Sequence, residues 1–394
     1  MIVELHMLQN FAPSCLNRDD TNSPKECQFG GYRRARISSQ CIKRAIRWNG
    51  VFRDMLKDHL SSRSLRFPTQ VHDELLKLGV TQSLAGEITK YLETIAKKEV
   101  TKSAGEEGKE TEKTAKKDEV GYELDIFKTP QMVFYTEDEV KECARQIKAL
   151  LEQGMKPVEV FKKDKKGKFI NLTVLPVPRS ADIGLFGRMV TSAHFNNIDA
   201  ACQVAHAIST HKVGVEFDFY TAVDDLQPRE EAGAGMMGTI EFNSACYYRY
   251  ANIDLEQLKK NLGNDETLAC KAVEAFLRAS VNAIPSGKQT SMASQTPPDF
   301  ILAVVRDSGA WSLANAFAKP VSPGNNGNLV EHSIAALVDY WNRLVKVYGD
   351  KGVRTKPALA LVKAELTGLN PVDNMDRLIE EVMRAVNCGS QKGG

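Results

Sequence analysis

Segments that alternate with a period of two residues and segments with helical spacing follow one another along all 394 residues. That interleaving excludes a helical bundle and points to sheet covered by helices, of the α/β or α+β class. The first residues, Met-Ile-Val-Glu-Leu-His-Met-Leu, alternate as a strand. From about 51 to 98 the apolar residues Leu75, Leu76, Leu78, Ile88, Leu92 and Ile95 keep helical spacing, and 194–209 also reads as a helix. Val213–Tyr220 alternates as a strand, with Thr239–Phe242 and Cys246–Tyr250 as returning strand. Helices over about 266–282, 328–348 and 373–386 then alternate with strands at Asp299–Val305 and Ala358–Val362. No internal repeat is evident.

Three polar stretches interrupt this pattern. Residues 99–120 contain no aromatic residue and few apolar ones, so burial cannot offset the entropy of ordering them, and a mobile surface insertion is expected. Lys162, Lys163, Lys165, Lys166 and Lys168 sit between Val158–Phe161 and Phe169–Leu172, which reads as a hairpin with a basic tip, either a solvated turn or a nucleic-acid contact. The charged, Gly-rich connection that ends near Gly235 joins two strands and predicts a projecting hairpin.

No run of about 18 apolar residues is present, so no membrane span is expected. The N-terminus lacks the basic flank and apolar core of a signal peptide, and a cytoplasmic location follows as an expectation. Eight cysteines, at 15, 27, 41, 143, 202, 246, 270 and 388, include no Cys-x-x-Cys pair. Reduced, mostly buried thiols are expected, with no structural metal; the closest histidines, His206 and His211, lack an acidic residue placed for a zinc helix.

Charge is gathered in one place. Asn17–Arg47 holds six arginines and two lysines against three acids, an excess of +5 in a chain whose formal charge is +2. Arginine suits phosphate because its planar fork donates two parallel hydrogen bonds. Ser38 or Ser39 can cap a helix whose Ile42, Ala45 and Ile46 form one face, with Gln40, Lys43, Arg44 and Arg47 on another. Upstream, Phe29-Gly30-Gly31-Tyr32 permits close backbone approach to a ligand. A polyanion is the expected partner.

Other motifs carry two readings each. Gly233-Ala234-Gly235-Met236-Met237-Gly238 has the dinucleotide spacing, but acidic residues precede it and a strand follows, so a flexible loop is the simpler account. Ser286-Gly287-Lys288-Gln289 places a lysine on a Gly-hinged loop, as a phosphate contact or a surface lysine, without Walker spacing. Asp19 and Asp20 can hold magnesium for phosphodiester cleavage, or orient arginines and cap a turn. Asp182 is a further acidic candidate. Met189 is core filler or a wedge between bases.

The quoted segments resemble one family. Leu16–Asp20, Phe29–Gly31, Arg36–Gln40 with Lys43-Arg44, Asp182–Met189, Asp199–Ala207, Phe219–Asp225, Gly233–Gly238 and Pro285–Gln289 are similar to the CasC family, the guide-RNA backbone subunit of the type I-E CRISPR Cascade complex. The resemblance implies an α+β fold: an RRM-like (ferredoxin-like) palm at 1–58 and 246–394, helical fingers at 59–205 and a thumb β-hairpin at 206–245. Copies would line up head to tail along a guide RNA, and each thumb would displace a nucleotide at intervals. The exposed stretches would pair with target DNA, so that base pairing reads the sequence while protein holds the backbone. The large subunit, small subunits, a guide 5′-end cap subunit and a guide-processing endoribonuclease are the implied partners.

Carried over residue by residue, phosphate contacts fall on Arg18, Lys25, Ser38, Gln40, Lys43, Arg44 and Arg47. Arg188 and Lys288 fall on backbone-contacting loops, Met189 on the wedge beside the displaced base, and Phe219 and Tyr220 on the thumb's apolar contact. The expectation is a non-catalytic RNA-binding scaffold without cofactor or metal. Its rival is a metal-dependent endoribonuclease that cuts complementary RNA with Asp19 and Asp20, by analogy with related type III subunits. A nucleotide-binding enzyme built on the Gly233 loop is a remote third reading.

Overall fold

A computed structural model describes residues 1–95, 127–164, 168–222, 236–324 and 328–388. The expected insertion at 99–120, Lys165–Gly167 of the basic tip and Gly233–Gly235 of the glycine motif lie outside the described residues. The chain forms two compact units, one of 1–58 with 200–394 and one of 59–199.

The first unit opens with β1 (Ile2–Ser14), β2 (Glu26–Phe29) and β3 (Tyr32–Ile37), followed by α1 (Ser39–Trp48) and α2 (Gly50–Leu56). In β1 the alternation is Val3, Leu5 and Met7 on one face and Glu4, His6 and Leu8 on the other, and both faces are buried.

The second unit contains β4 (Ser62–Ser64), α3 (Phe67–Lys77), α4 (Gln82–Leu92), β5 (Val133–Tyr135), α5 (Glu137–Glu152), α6 (Pro157–Val160) and α7 (Ala181–Phe186). Phe67, Leu75, Ile88, Ile147, Phe169 and Phe195 lie in its core. Glu139 forms a capping box with Thr136 at the start of α5, satisfying helix-end donors from both sides. The helical stretch expected over 51–98 is broken by β4, which pairs with β5. The first arm of the expected hairpin at 158–172 is instead the helical turn α6, because Pro157 presets helical φ at N1; among the described residues the pairing is the bridge between Lys163 and Phe169.

The chain then returns to the first unit with β6 (Cys202–Val204), β7 (Ala207–Ser209), β8 (Glu216–Ala222), β9 (Met236–Asp254), α8 (Leu255–Asn261), α9 (Glu266–Asn282), α10 (Gln289–Met292), β10 (Phe300–Arg306), α11 (Leu329–Tyr348), β11 (Val353–Thr355), β12 (Pro357–Ala360), β13 (Asn370–Pro371) and α12 (Met375–Ala385). The helix expected over 194–209 is absent: β6 and β7 pair with β9, and the sheet's hydrogen bonds override the helical spacing of a few small residues. Cys202–Val204 and Ala207–Ser209, placed by the resemblance in the fingers and the thumb respectively, are strands of this sheet.

The sheet runs β13-β12-β10-β1-β9-β7-β3-β2, with β11 on β10 and both β6 and β8 on β9. β1 lies antiparallel between β9 and β10, with Ile2 opposite both Asp254 and Arg306. One face, carrying Leu8, Tyr248, Tyr250, Phe300 and Leu302, packs with Ile334, Leu337 and Trp341 of α11. On the other face Arg249 donates to Gln9 and to the Ser280 carbonyl of α9. Charge is buried here only with partners. The Glu4 carboxylate accepts from Tyr250 Oη at 2.8 Å and Trp311 N at 2.6 Å and meets Arg306 at 2.9 Å; removing one member would strand the others at a cost of about 3–5 kcal/mol.

The expectation of reduced cysteines fails at one pair. Cys270 of α9 and Cys388, just after α12, form a disulfide with Cα atoms 5.5 Å apart. Their separation of 118 residues hides this pairing from any local spacing rule, whereas Cys15, Cys143, Cys202 and Cys246 are buried thiols. Among the described residues no helix is long and apolar enough to cross a membrane.

Candidate nucleic-acid interface

The basic helix forms where its sequence places it. Ser38 caps α1, its Oγ accepting from Cys41 N at 3.4 Å, while Asn17 Oδ1 accepts from Ser38 N at 2.8 Å. Ile42 and Ile46 are buried, Gln40 and Arg44 are exposed, and Lys43 and Arg47 are half-buried. The helix carries no acidic residue, and Lys43, Arg44 and Arg47 make its outer face cationic. Ser38 itself is buried and committed to the cap.

The run before the cap is divided. Arg33 is exposed and paired with Glu26. Arg34 is fully buried, donating to the carbonyls of Ser209 at 3.0 Å and Phe317 at 2.6 Å. Arg36 donates to the Glu26 carbonyl at 3.2 Å and contacts His206 at 3.1 Å. Gly30, expected to admit a ligand, has another use: at φ +62° it lies so close to Ala318 that a Cβ would stand 1.8 Å from that carbonyl oxygen.

The loop Asn17–Lys25 folds back beside this helix. Lys25 N donates to Asn17 O at 2.8 Å, and Arg18 is exposed, donating to Asn22 Oδ1 at 3.1 Å. Lys25 and Arg44 both act on the Cys41 thiol, though burial outweighs them and raises its pKa. Asp19 Oδ1 accepts from Thr21 N, Thr21 Oγ1 and Ser23 N at 2.8–3.0 Å; these hydrogen bonds, Thr21's hydroxyl first, lower the pKa of the carboxyl. That carboxylate holds a turn together. Asp20 is exposed.

Lys288 sits at φ +52°, and the preceding Gly287 presses on the chain: a Cβ there would lie 2.4 Å from Leu16 O. The contact brings Lys288 to Arg18 across a groove of about 270 Å³ whose other wall is Tyr220, Ile240 and Glu241. Arg18 and Lys288 both pull on the Cys15 thiol, which burial nevertheless raises. Tyr220 reaches across to Gly238, where a Cβ would stand 2.4 Å from its hydroxyl. Gly238 belongs to β9, a strand rather than the helix that a dinucleotide site requires.

β8 and the first half of β9 form a two-stranded ribbon, from Glu216 opposite Phe242 to Ala222 opposite Met236. Every residue of β8 is exposed. Phe217, Phe219, Thr221 and Met237 share one face by alternation and pairing, and Tyr220, Ala222, Met236 and Ile240 share the other. The expected Phe219 and Tyr220 thus stand on opposite faces, and Phe217, Met236 and Met237 join them as exposed apolar groups that alternation alone does not single out.

In the second unit the adjacent Arg188 and Met189 part company. Arg188 is 3% exposed, bound to Glu139 at 2.8 and 3.0 Å and donating to the carbonyls of Asn196 and Phe134. It is a strut, not the surface contact expected of it, because burying Glu139 requires a matching cation. Met189 is 93% exposed, the opposite of core filler. Asp182 is buried and accepts from Ser61 N, Ser61 Oγ and Ser180 Oγ. Lys163 is held by Thr94 at 2.9 Å. Among the described residues no three His, Cys, Asp or Glu side chains are grouped to hold a metal ion.

No curated protein matches the chain. A chain of a "CRISPR RNA-guided surveillance complex, pre-nicking" is 29% identical, with a TM-score of 0.75 over 98% of this chain and 100% of that one. A chain of a "CRISPR RNA-guided surveillance complex" is 25% identical, with a TM-score of 0.57 over the same shares. The family described as CT1975-like protein matches residues 3–384. That match runs from β1 to the end of α12 and includes both units, and the chain belongs to the CT1975-like protein family.

Proposed function

We propose that this protein is a non-catalytic backbone subunit of a type I-E CRISPR RNA-guided surveillance complex, binding guide RNA in the cytoplasm and presenting it to target DNA. The observation that carries the reading is the cationic outer face of α1, continued by Lys25, Arg18 and Lys288, on a chain 29% identical to one from a CRISPR RNA-guided surveillance complex. Lys43 holds phosphate as a point charge, Arg44 and Arg47 as forks, and Gln40 by an amide N–H. In the proposed arrangement, copies polymerise head to tail, with the first unit's sheet as an RRM-like palm, the second unit as fingers and the β8–β9 ribbon as a thumb. The apolar ribbon and Met189 displace a base at intervals. The large subunit, small subunits, 5′-end cap subunit and guide-processing endoribonuclease complete the assembly.

The test is co-expression with a repeat-spacer RNA and the partner subunits. The wild type should copurify with guide, with log affinity falling by about 0.7 per neutralised phosphate for each unit of log salt. The double reversal Lys43→Glu, Arg44→Glu should remove the guide; undiminished copurification would defeat the assignment. The endoribonuclease reading predicts cuts at regular spacing in added complementary RNA, lost in Asp20→Ala; the scaffold predicts an intact complement in both proteins.

A further inference from the structure

A pocket of about 370 Å³ opens beside the cationic face of α1 and lies wholly within the first unit. Cys41, Ala45 and Trp48 follow one another at i, i+4 and i+7 and form one wall; the small first two leave the space that Trp48 closes. Asn282, Ile284, Pro285 and Gln295 line it as well, together with Arg44, Asn49 and Ser286. The volume falls in the range of small-ligand sites, about 300–1,000 Å³.

Trp48 is unlike the other tryptophans of the chain. Trp341 is fully buried and Trp311 packs against it, whereas Trp48 is 56% exposed. The Arg53 guanidinium lies 4.8 Å and that of Arg44 5.8 Å from its ring centroid. An indole open to solvent with two guanidiniums against it offers a stacking surface and phosphate ligands together, the combination that single-stranded nucleic-acid sites use. Asn49 uses its Oδ1 to cap α2, accepting from Val51 N at 3.0 Å, which leaves its amide N–H groups for the edge of a ligand. Lys288, two residues beyond Ser286, continues the cationic surface past the rim.

We propose that this pocket is a nucleobase subsite, in which one unpaired base of a bound RNA strand stacks on Trp48 while its phosphate meets Arg44 and Arg53. The inference rests on the RNA-binding reading of the first unit and adds a base contact to it. An arginine-lined surface alone would serve any polyanion; the open indole selects one that carries flat rings.

The test titrates the full chain with single-stranded RNA and with a ribose-phosphate strand of equal length lacking bases, following tryptophan fluorescence and affinity. RNA should quench the component of emission that is absent from Trp48→Phe, and the abasic strand should not. Trp48→Ala should weaken RNA binding by about 5- to 150-fold, the loss of one stacked base. Trp48→Phe, which keeps a ring, should retain most of the affinity; matched melting temperatures would set misfolding aside. RNA binding unchanged in Trp48→Ala, or equal quenching by the abasic strand, would overturn the subsite and leave the scaffold standing. A wild type that binds no RNA would overturn the scaffold itself. Stronger quenching by an acidic peptide than by RNA would also overturn the base assignment and make the pocket a protein-docking site.

Discussion

β9 is one strand with two fates. From Ala245 to Ile253 it is buried between β1 and the strands β6 and β7; from Met236 to Phe242 it pairs only with β8 and stands in solvent. Both halves carry aromatic and apolar side chains. Their difference shows that the number of neighbouring strands, rather than a strand's own composition, decides which of its residues become core. Apolar groups on the half that lacks neighbours remain available to a partner outside the chain.

That contrast can be broken most sharply at Tyr248, which is buried and whose Oη contacts His6 at 2.9 Å and accepts from Leu313 N at 2.8 Å. Tyr248→Ala should cost about 3–5 kcal/mol in urea denaturation; a loss below about 1 kcal/mol would mean that the two halves are equivalent after all. Next in size is the disulfide that anchors α9, the helix receiving Arg249 from the buried half. Cys270→Ser should lower stability by about 2–4 kcal/mol, and adding reductant should change the wild type but not the variant.

Acid gives a graded version of the same comparison. Burial, reinforced by Arg306, lowers the pKa of His6 from 6.5 to about 3. Between those values the unfolded chain binds a proton that the fold refuses, so stability is complete above about pH 6.5 and falls with decreasing pH by about 1.4 kcal/mol per unit. Urea midpoints between pH 7 and 4.5 should slope less steeply in His6→Gln. The smallest effect on stability belongs to the ribbon: Phe217→Ser with Met237→Ser should shift it by no more than about 0.5 kcal/mol per site, while guide-dependent assembly, followed by sedimentation, should weaken. A large loss of stability instead would show that the ribbon serves the fold.

Legibility in the sequence tracked the range of the forces involved. The α1 cap, its buried isoleucines and its cationic face were readable because they depend on neighbours within a turn, and the same holds for the strand character of Met1–Leu8. The helix expected over 194–209 gives way to strands because β9, some forty residues away, supplies hydrogen bonds that local spacing cannot reveal. Arg188 was misjudged for a related reason: Glu139, which buries it, lies far off in sequence. The Cys270–Cys388 bridge is equally nonlocal. Trp48 stands at the end of a basic helix, but the pocket it closes needs residues after α9, which no local pattern supplies.

The position of β1 sets a timetable for the making of the protein. Its partners, β9, ending at Asp254, and β10, ending at Arg306, are made long after it. At about 5–20 residues per second, the nascent chain carries Val3, Leu5 and Met7 without their sheet for roughly 15–60 s. Pairings this distant make folding slow. During synthesis β1 therefore waits for strands made much later, and it is a segment a chaperone would have reason to hold.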